Sequence, residues 1–178
     1  IVRSCDVYFY KMSDELGIQK VVNVLDGFGF GRKTGIDLPG EQKGLLPSPE
    51  WKRQNKNLPW YPGETLITGI GQGFLLATPI QLAHFTATIA MKGQVRAPYL
   101  VQHIENSDGS PEVSLQGPPI QAIFSDNQEY WQIIADSMVE VVHGSSGTAR
   151  GSGYGAPVRF AGKTGTSQVF AIAQDEEF

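Results

Sequence analysis

Two short stretches hold residue types that can do chemistry together. Gly162-Lys163-Thr164-Gly165-Thr166 sets an ammonium and two hydroxyls among small neighbours. A glycine on a strand lets a ligand or another backbone come close. A lysine there can hold a carboxylate or help to move a proton. At the other end, Ser4-Cys5-Asp6 places a hydroxyl, a thiol and a carboxyl at the entrance of a helix. Each stretch alone has an ordinary explanation. A lysine among glycines suits any edge strand, and Ser or Asp before a helix accepts hydrogen bonds from the free N–H groups of the first turn.

Other candidates are weaker. Lys33-Thr34-Gly35 repeats the Lys-Thr-Gly pattern, but it lies in a Gly/Pro-rich stretch with no apolar strand before it. Lys163 follows Val158 to Ala161, which has strand character, so the chemistry is assigned to Lys163 and Lys33 is read as a structural loop. A phosphate-binding loop would need glycine where Pro157 stands and a helix after Thr166, and Ser167-Gln168-Val169-Phe170 continues as strand. His84, His103 and His143 share no ligand spacing. His84 is expected as a satisfied core residue, and His143 at a helix end where a cation is favoured. Cys5, the single cysteine, has no internal disulfide partner.

The elements that must carry these residues follow from caps and periodicity. Asp6 to Leu16 reads as a helix with Val7, Tyr8, Met12 and Leu16 near one face and Gly17 as its stop. Ile18 to about Leu25 reads as a second helix. Phe28 to Pro62 is expected to be mostly irregular, its Trp51 to Tyr61 part either lining a groove or packing the loop down. Thr78-Pro79 supplies a hydroxyl cap and a proline at the first helical position. The helix that follows runs toward Gly93, apolar nearly all round, and is expected to be buried. Val95 to Ile104 reads as a strand, turning at Asn106-Ser107-Asp108-Gly109 into Val113 to Leu115. Ser125, with Gln128 three residues on, is expected to cap a helix bearing Trp131, Ile134, Met138, Val141 and Val142. Pro157 to Phe170 is expected as a strand interrupted by Gly162 and Gly165.

The composition narrows the class. A hydrophobic fraction of 40% and a charged fraction of 18% over 178 residues suit one globular domain. A net charge of −4 with no basic stripe argues against nucleic acid as a partner. No apolar run approaches the roughly 20 residues of a membrane helix. The chain opens at Ile1 without an initiator methionine, and a preceding part is therefore expected.

Together the stretches resemble the penicillin-binding protein and serine β-lactamase superfamily. That superfamily uses Ser-x-x-Lys with the nucleophile, then Ser-x-Asn, then Lys-Thr-Gly. Ser4-Cys5-Asp6 resembles the second motif with Asp in place of Asn, and Lys163-Thr164-Gly165 the third. Phe28 to Glu41, Gly71-Gln72-Gly73 followed by Thr78-Pro79-Ile80-Gln81-Leu82-Ala83, and Gly147-Thr148-Ala149 resemble the class B transpeptidase pattern. Ser-Cys-Asp points to the elongation-specific protein 2 group. The resemblance covers nearly the whole chain and implies an α+β fold, mainly the helical part of the transpeptidase domain plus the Lys-Thr-Gly strand. No Ser-x-x-Lys precedes Ser4, and neither Ser48 nor Ser125 has Lys at the required place. Residues 1–178 are thus expected to be a partial transpeptidase domain, without its nucleophile, final strands and final helix, and inactive alone.

What the resemblance implies is acyl transfer at a D-alanyl-D-alanine terminus in cell-wall elongation. Ser4 would relay a proton to the leaving group, and Asp6 would orient the motif lysine and the substrate amide. Lys163 would support Ser4 electrostatically. Thr164 and Thr166 would bind the terminal carboxylate, with the Thr166 N–H in the oxyanion hole and Gly165 keeping the surface open for an extended peptide. An ionised Asp6 only accepts hydrogen bonds, so it is expected to pair with a lysine. Peptidoglycan stem peptides, β-lactams and membrane proteins of cell elongation are the implied partners, at the periplasmic face of the inner membrane. No cofactor is implied for the reaction. Some relatives place the Cys5 equivalent in a zinc site, but one thiolate cannot replace the four ligands usual for zinc. A β-lactamase-type serine hydrolase and a non-catalytic scaffold for cell-wall partners are the alternatives.

Overall fold

The computed structural model describes residues 1–109, 111–114, 121–122 and 127–167. Helix α1 (Asp6–Leu16) stops at Gly17, whose φ of 74° suits a residue without Cβ, and α2 (Ile18–Gly27) follows at once. Ser13 is the buried residue of α1, while Val7 is 73% and Tyr8 63% exposed. Of the four residues read onto one face, Val7, Tyr8 and Leu16 thus stay outside and Met12 is half-buried. The reason lies in α4 (Pro62–Gly69), which packs against α1. Gly69 presents no side chain, so Ser13 sits against its backbone, and a Cβ at Gly69 would overlap the Ser13 hydroxyl.

The stretch expected to be irregular contains two helices. Ser48 caps α3 (Pro49–Lys56) by accepting the Trp51 N–H at 3.1 Å, Pro49 takes the first helical position, and Asn57 ends the helix in the left-handed conformation. The α3 and α4 helices are tied through Lys52, 1% exposed, whose ammonium meets the Glu64 carboxylate and lies 4.2 Å from the centre of the Tyr61 ring. Trp60 donates to Thr65 Oγ1 at 2.9 Å, and Trp51 packs on Phe74. These aromatic residues hold the loop down.

Helix α5 (Pro79–Ala90) opens with a reciprocal cap: Thr78 Oγ1 accepts the Gln81 N–H and Gln81 Oε1 accepts the Thr78 N–H. Its buried residues are Gln81, Thr88 and Ile89, and Leu82 is half exposed. The expectation of an all-round apolar buried helix is thus corrected. Gln81 is inside because its Nε2 donates to the Arg32 and Lys43 carbonyls, at 2.7 and 2.9 Å, and so satisfies the loop that crosses α5. Phe28, Phe30, Phe85 of α5 and Trp131 of α6 (Gln128–His143) meet edge-on or tilted around the core, and Val141 and Val142 are fully enclosed near the other end of α6. Asn127 caps α6 by accepting the Glu129 N–H; Ser125, the expected cap, lies outside the described residues.

The strands are short and antiparallel: β1 (Gln94–Val95) pairs with β4 (Gln121–Ala122), and β2 (His103–Glu105) with β3 (Pro111–Ser114) through the expected Asn106–Gly109 turn. The single strand expected from Val95 to Ile104 is split. The Leu100 and Val101 N–H groups donate to the Asp37 carboxylate at 2.7 and 2.8 Å, and Pro98 has no N–H to give a ladder. A short helix, α7 (Arg150–Gly153), interrupts the expected loop after α6. Residues 157–167 form no strand; the rest of that expected strand, Gln168 to Phe170, lies outside the described residues. Their backbone bonds go elsewhere, Phe160 N–H to His143 Nε2 and Gly162 N–H to the Met138 carbonyl. The fold is α+β and mostly helical. Among the described residues no helix is long and apolar enough to cross a membrane.

Candidate active site

The ends of the chain meet. Lys163 Nζ donates to Ser4 Oγ at 2.9 Å, across 159 residues of sequence, and to its neighbour's carbonyl, Thr164 O, at 2.7 Å. Ser4 is not the helix cap. Cys5 takes that position without a side-chain bond, and Ser4 sits before it with a φ of 48°, unusual for a residue with a side chain. The turn that imposes this conformation is closed by the Ser4 N–H on the Ile1 carbonyl, at 3.1 Å. It frees the Ser4 hydroxyl from capping and turns it to the lysine.

Around this contact lie residues from two further elements, the turns after α6 and after α4. Thr164 Oγ1 is 3.0 Å from Thr148 Oγ1. Thr148 belongs to the turn after α6, where Ala149 N–H returns to the Val141 carbonyl and a Cβ at Gly147 would strike that same carbonyl. The Thr148 N–H reaches the Val2 carbonyl at 3.3 Å, joining this turn to the segment of Ser4. Gln72 Nε2 donates to the Thr166 carbonyl at 2.6 Å. Thr166 and Gly165 are exposed and Thr164 half-buried, so the segment faces open space.

Asp6 opens α1 on the exposed side and makes no ion pair or hydrogen bond with a described residue. The lysine pairing expected for it is absent among the described residues: Lys163 spends its bonds on Ser4 and Thr164. Lys33-Thr34-Gly35 lies apart from the cleft. The Thr34 N–H and hydroxyl both reach Glu41 Oε1 at 2.6 Å, and the Gly35 N–H reaches Oε2 at 3.1 Å. Burial works against the Glu41 charge, but the Thr34 hydroxyl and N–H, the Gly35 N–H and the Lys33 charge together hold its carboxyl below the usual range. The Val101 and Leu100 N–H groups lower Asp37 likewise. These carboxylates staple loops.

Cys5 is exposed, and among the described residues no group of three His, Cys, Asp or Glu side chains could hold a metal. The described residues do not fit a zinc site. His143 accepts the Phe160 N–H through Nε2 at 3.2 Å with the two rings edge-on, which ties the end of α6 to the segment before Lys163. His84, expected to be satisfied, has a buried Nε2 with no hydrogen-bond partner among the described residues. It lines a cavity of about 380 Å³ with the apolar Ala87, Met91 and Val95, and the adjacent Thr88 hydroxyl is already spent on the His84 carbonyl. Sequence reasoning missed Gln72 and Thr148 as site residues. Their signal was a polar side chain set between small ones, Gly71-Gln72-Gly73 and Gly147-Thr148-Ala149.

Chemically this is a cleft that can receive a carboxylate and pass a proton: an ammonium on a hydroxyl, two threonines and an open backbone segment. Comparison with known proteins gives it a family. The chain matches the penicillin-binding protein transpeptidase domain over residues 1–177, and it belongs to that family. It is 39% identical over 179 residues to the peptidoglycan D,D-transpeptidase MrdA of Acinetobacter baumannii, covering 100% of this chain and 26% of that protein. To MrdA of Escherichia coli K12 it is 36% identical over 176 residues, 98% of this chain and 27% of that protein. Among solved structures, Pseudomonas aeruginosa PBP2 in complex with WCK 5153 superposes with a TM-score of 0.81 at 46% identity, over 94% of this chain and 37% of that one. The PBP2–MreC complex of Helicobacter pylori gives 0.82 at 39% identity, over 95% and 30%. The chain thus spans about a quarter of the length of the curated relatives it matches.

Proposed function

We propose that these residues form the second- and third-motif wall of a peptidoglycan D,D-transpeptidase. The reading is carried by one observation, the 2.9 Å contact of Lys163 Nζ with Ser4 Oγ. These 178 residues contain no Ser-x-x-Lys, so the nucleophile would come from outside them. That serine would attack the penultimate D-alanine carbonyl of a stem peptide. The C–N bond breaks, the terminal D-alanine leaves as an amine with a proton relayed through Ser4, and an acyl ester remains on the serine. The amine of a neighbouring stem then attacks the ester, forms the cross-linking amide and returns the proton to the serine.

In this reading Lys163 favours the electron-rich form of Ser4 and, with Thr164 and Thr166, receives the terminal carboxylate. The Thr166 N–H takes part in the oxyanion hole. Asp6, exposed at the mouth, would meet the substrate amide or the lysine of the Ser-x-x-Lys. Gly165 leaves the surface open for an extended peptide. β-Lactams would acylate the same serine. The complex of the Helicobacter pylori relative with MreC supports a cell-elongation protein as partner of the complete protein. The reaction would take place at the periplasmic face of the inner membrane, as the resemblance implies.

Fluorescent penicillin tests the reading. The complete protein, with its Ser-x-x-Lys, is expected to label covalently, and Lys163→Ala to slow labelling by roughly 10²-fold or more. The 178-residue chain alone should stay unlabelled. Unchanged labelling of Lys163→Ala, or a covalent label on the short chain, would overturn the assignment.

A further inference from the structure

We propose that Gln72 is a positioning residue for the reaction: by holding the Thr166 carbonyl, its side-chain amide limits how the Thr166 N–H can swing and keeps that donor aimed at the oxyanion. This rests on the transpeptidase reading above and extends it to a residue outside the three motifs.

The first support is where the motif segment is anchored. Phe160, Gly162 and Thr164 are tied to His143, Met138 and Thr148. All three ties lie before Gly165, and a glycine leaves the backbone free to rotate. Beyond it, the anchor among the described residues is the 2.6 Å bond from Gln72 Nε2 to the Thr166 carbonyl. The carbonyl and the N–H leave opposite sides of one Cα, so fixing the first restrains the second.

The second support is how Gln72 is presented. It stands between Gly71 and Gly73, with φ of 78° and 75°, both in the left-handed region. Its own N–H is tied to the Ile67 carbonyl at 3.1 Å, and a Cβ at Gly73 would come within 3.1 Å of Ile67 Cγ2. This tight turn closes α4. Because α4 packs on α1 at Gly69 and Ser13, Gln72 and Ser4 ride on one helix pair. Ser4 grips the motif at Lys163 and Gln72 grips it at Thr166. The pair therefore sets the spacing between the ammonium and the oxyanion donor, and small misplacements at such a site cost rate steeply, about 10²-fold for 1 Å.

The test uses the complete protein and a fluorescent penicillin, with the acylation rate constant separated from the affinity of the first complex. Gln72→Glu keeps the size of the side chain but removes the donor, and Gln72→Leu removes polarity altogether. Both are expected to lower the acylation rate constant about 10- to 100-fold at neutral pH, with affinity changed less than about threefold. Toward pH 5, Gln72→Glu should regain rate relative to the unsubstituted protein, since a protonated carboxyl can donate to the carbonyl, while Gln72→Leu should not. A merely structural hydrogen bond would give no such pH-dependent rescue. Melting temperatures are read alongside. If either variant drops by more than about 5 °C, Gln72→Asn, the same amide one methylene shorter, replaces it and is expected to lose rate likewise. Acylation within twofold of the unsubstituted protein, a loss confined to affinity, or a gain in rate would each overturn the positioning role; a gain would mean that Gln72 blocks the carbonyl. Failure of the unsubstituted protein to label would instead sink the transpeptidase reading.

Discussion

Replacing Lys52 by methionine would leave Glu64 facing α3 with no cation. Lys52 is 1% exposed along its side chain and Glu64 12%, so water cannot take over the lost partner. Removing one member of a buried pair costs about 3–5 kcal/mol, because the remaining charge stays desolvated. Glu64 keeps one bond, from the Tyr61 N–H to Oε2 at 2.7 Å, which moderates the loss. The penalty of Lys52→Met is therefore expected at the lower end of that range, about 3–4 kcal/mol.

Urea unfolding reads this directly. With a slope of about 2 kcal/mol/M, the midpoint should fall by roughly 1.5–2 M. Lys52→Met combined with Glu64→Gln should recover most of the loss at pH 7, since no uncompensated charge is left. A midpoint lowered by less than about 0.5 M would refute the reasoning. So would a double variant as weak as the single one, which would locate the loss in the packing of Lys52 against Tyr61 and Phe74.

Gly69→Ala would drive a methyl group into Ser13 and is expected to cost about 1–3 kcal/mol in thermal unfolding; adding Ser13→Gly should restore most of it, and a tolerated Gly69→Ala would show that α1 and α4 are not in close contact. Glu41 titrates below its ordinary value of 4.5 in the folded protein. Its stapling of Thr34 and Gly35 is therefore complete above that value and lost as pH falls through the lower folded value. Glu41→Gln should accordingly melt lower than the unsubstituted protein at pH 7 and converge with it toward pH 3, whereas a difference that persists at pH 3 would exclude the charge as its cause.

Part of this architecture was legible because local chemistry decides it. Gly17 between two amphipathic stretches, Thr78-Pro79 with Gln81, and Asn106 to Gly109 each name an element whose cap or turn is made by its own neighbours. Ser48-Pro49 and Tyr61-Pro62 carry a similar start signal, yet α3 and α4 were missed. Each is only eight residues long, and α3 buries a lysine, so apolar periodicity had nothing to report. The strand expected from Pro157 to Phe170 failed over its described part, residues 157–167, for the opposite reason. Its composition suits a strand, but a ladder needs partners, and its N–H groups at 160 and 162 are taken by α6. Gln72 was invisible because its partner is 94 residues away. The encounter of Ser4 with Lys163 was predictable only through the resemblance of both stretches to motifs of one family.

That encounter is a consequence of the fold and not its cause. Closing a loop of 159 residues costs about 4.5 kcal/mol by the logarithmic rule. One exposed hydrogen bond to a charged group returns about 1.5–3 kcal/mol. Lys163 and Ser4 alone therefore could not hold the two ends of the chain together. The balance comes from contacts that do no chemistry: Ser13 against Gly69, the Val2 carbonyl on Thr148, and Gly162 on Met138. It follows that stability and reactivity are carried by different residues here. Removing the Lys163 ammonium should disable the cleft while leaving the fold nearly intact, and a methyl group at Gly69, buried between two helices and well away from the lysine in sequence, should disturb both.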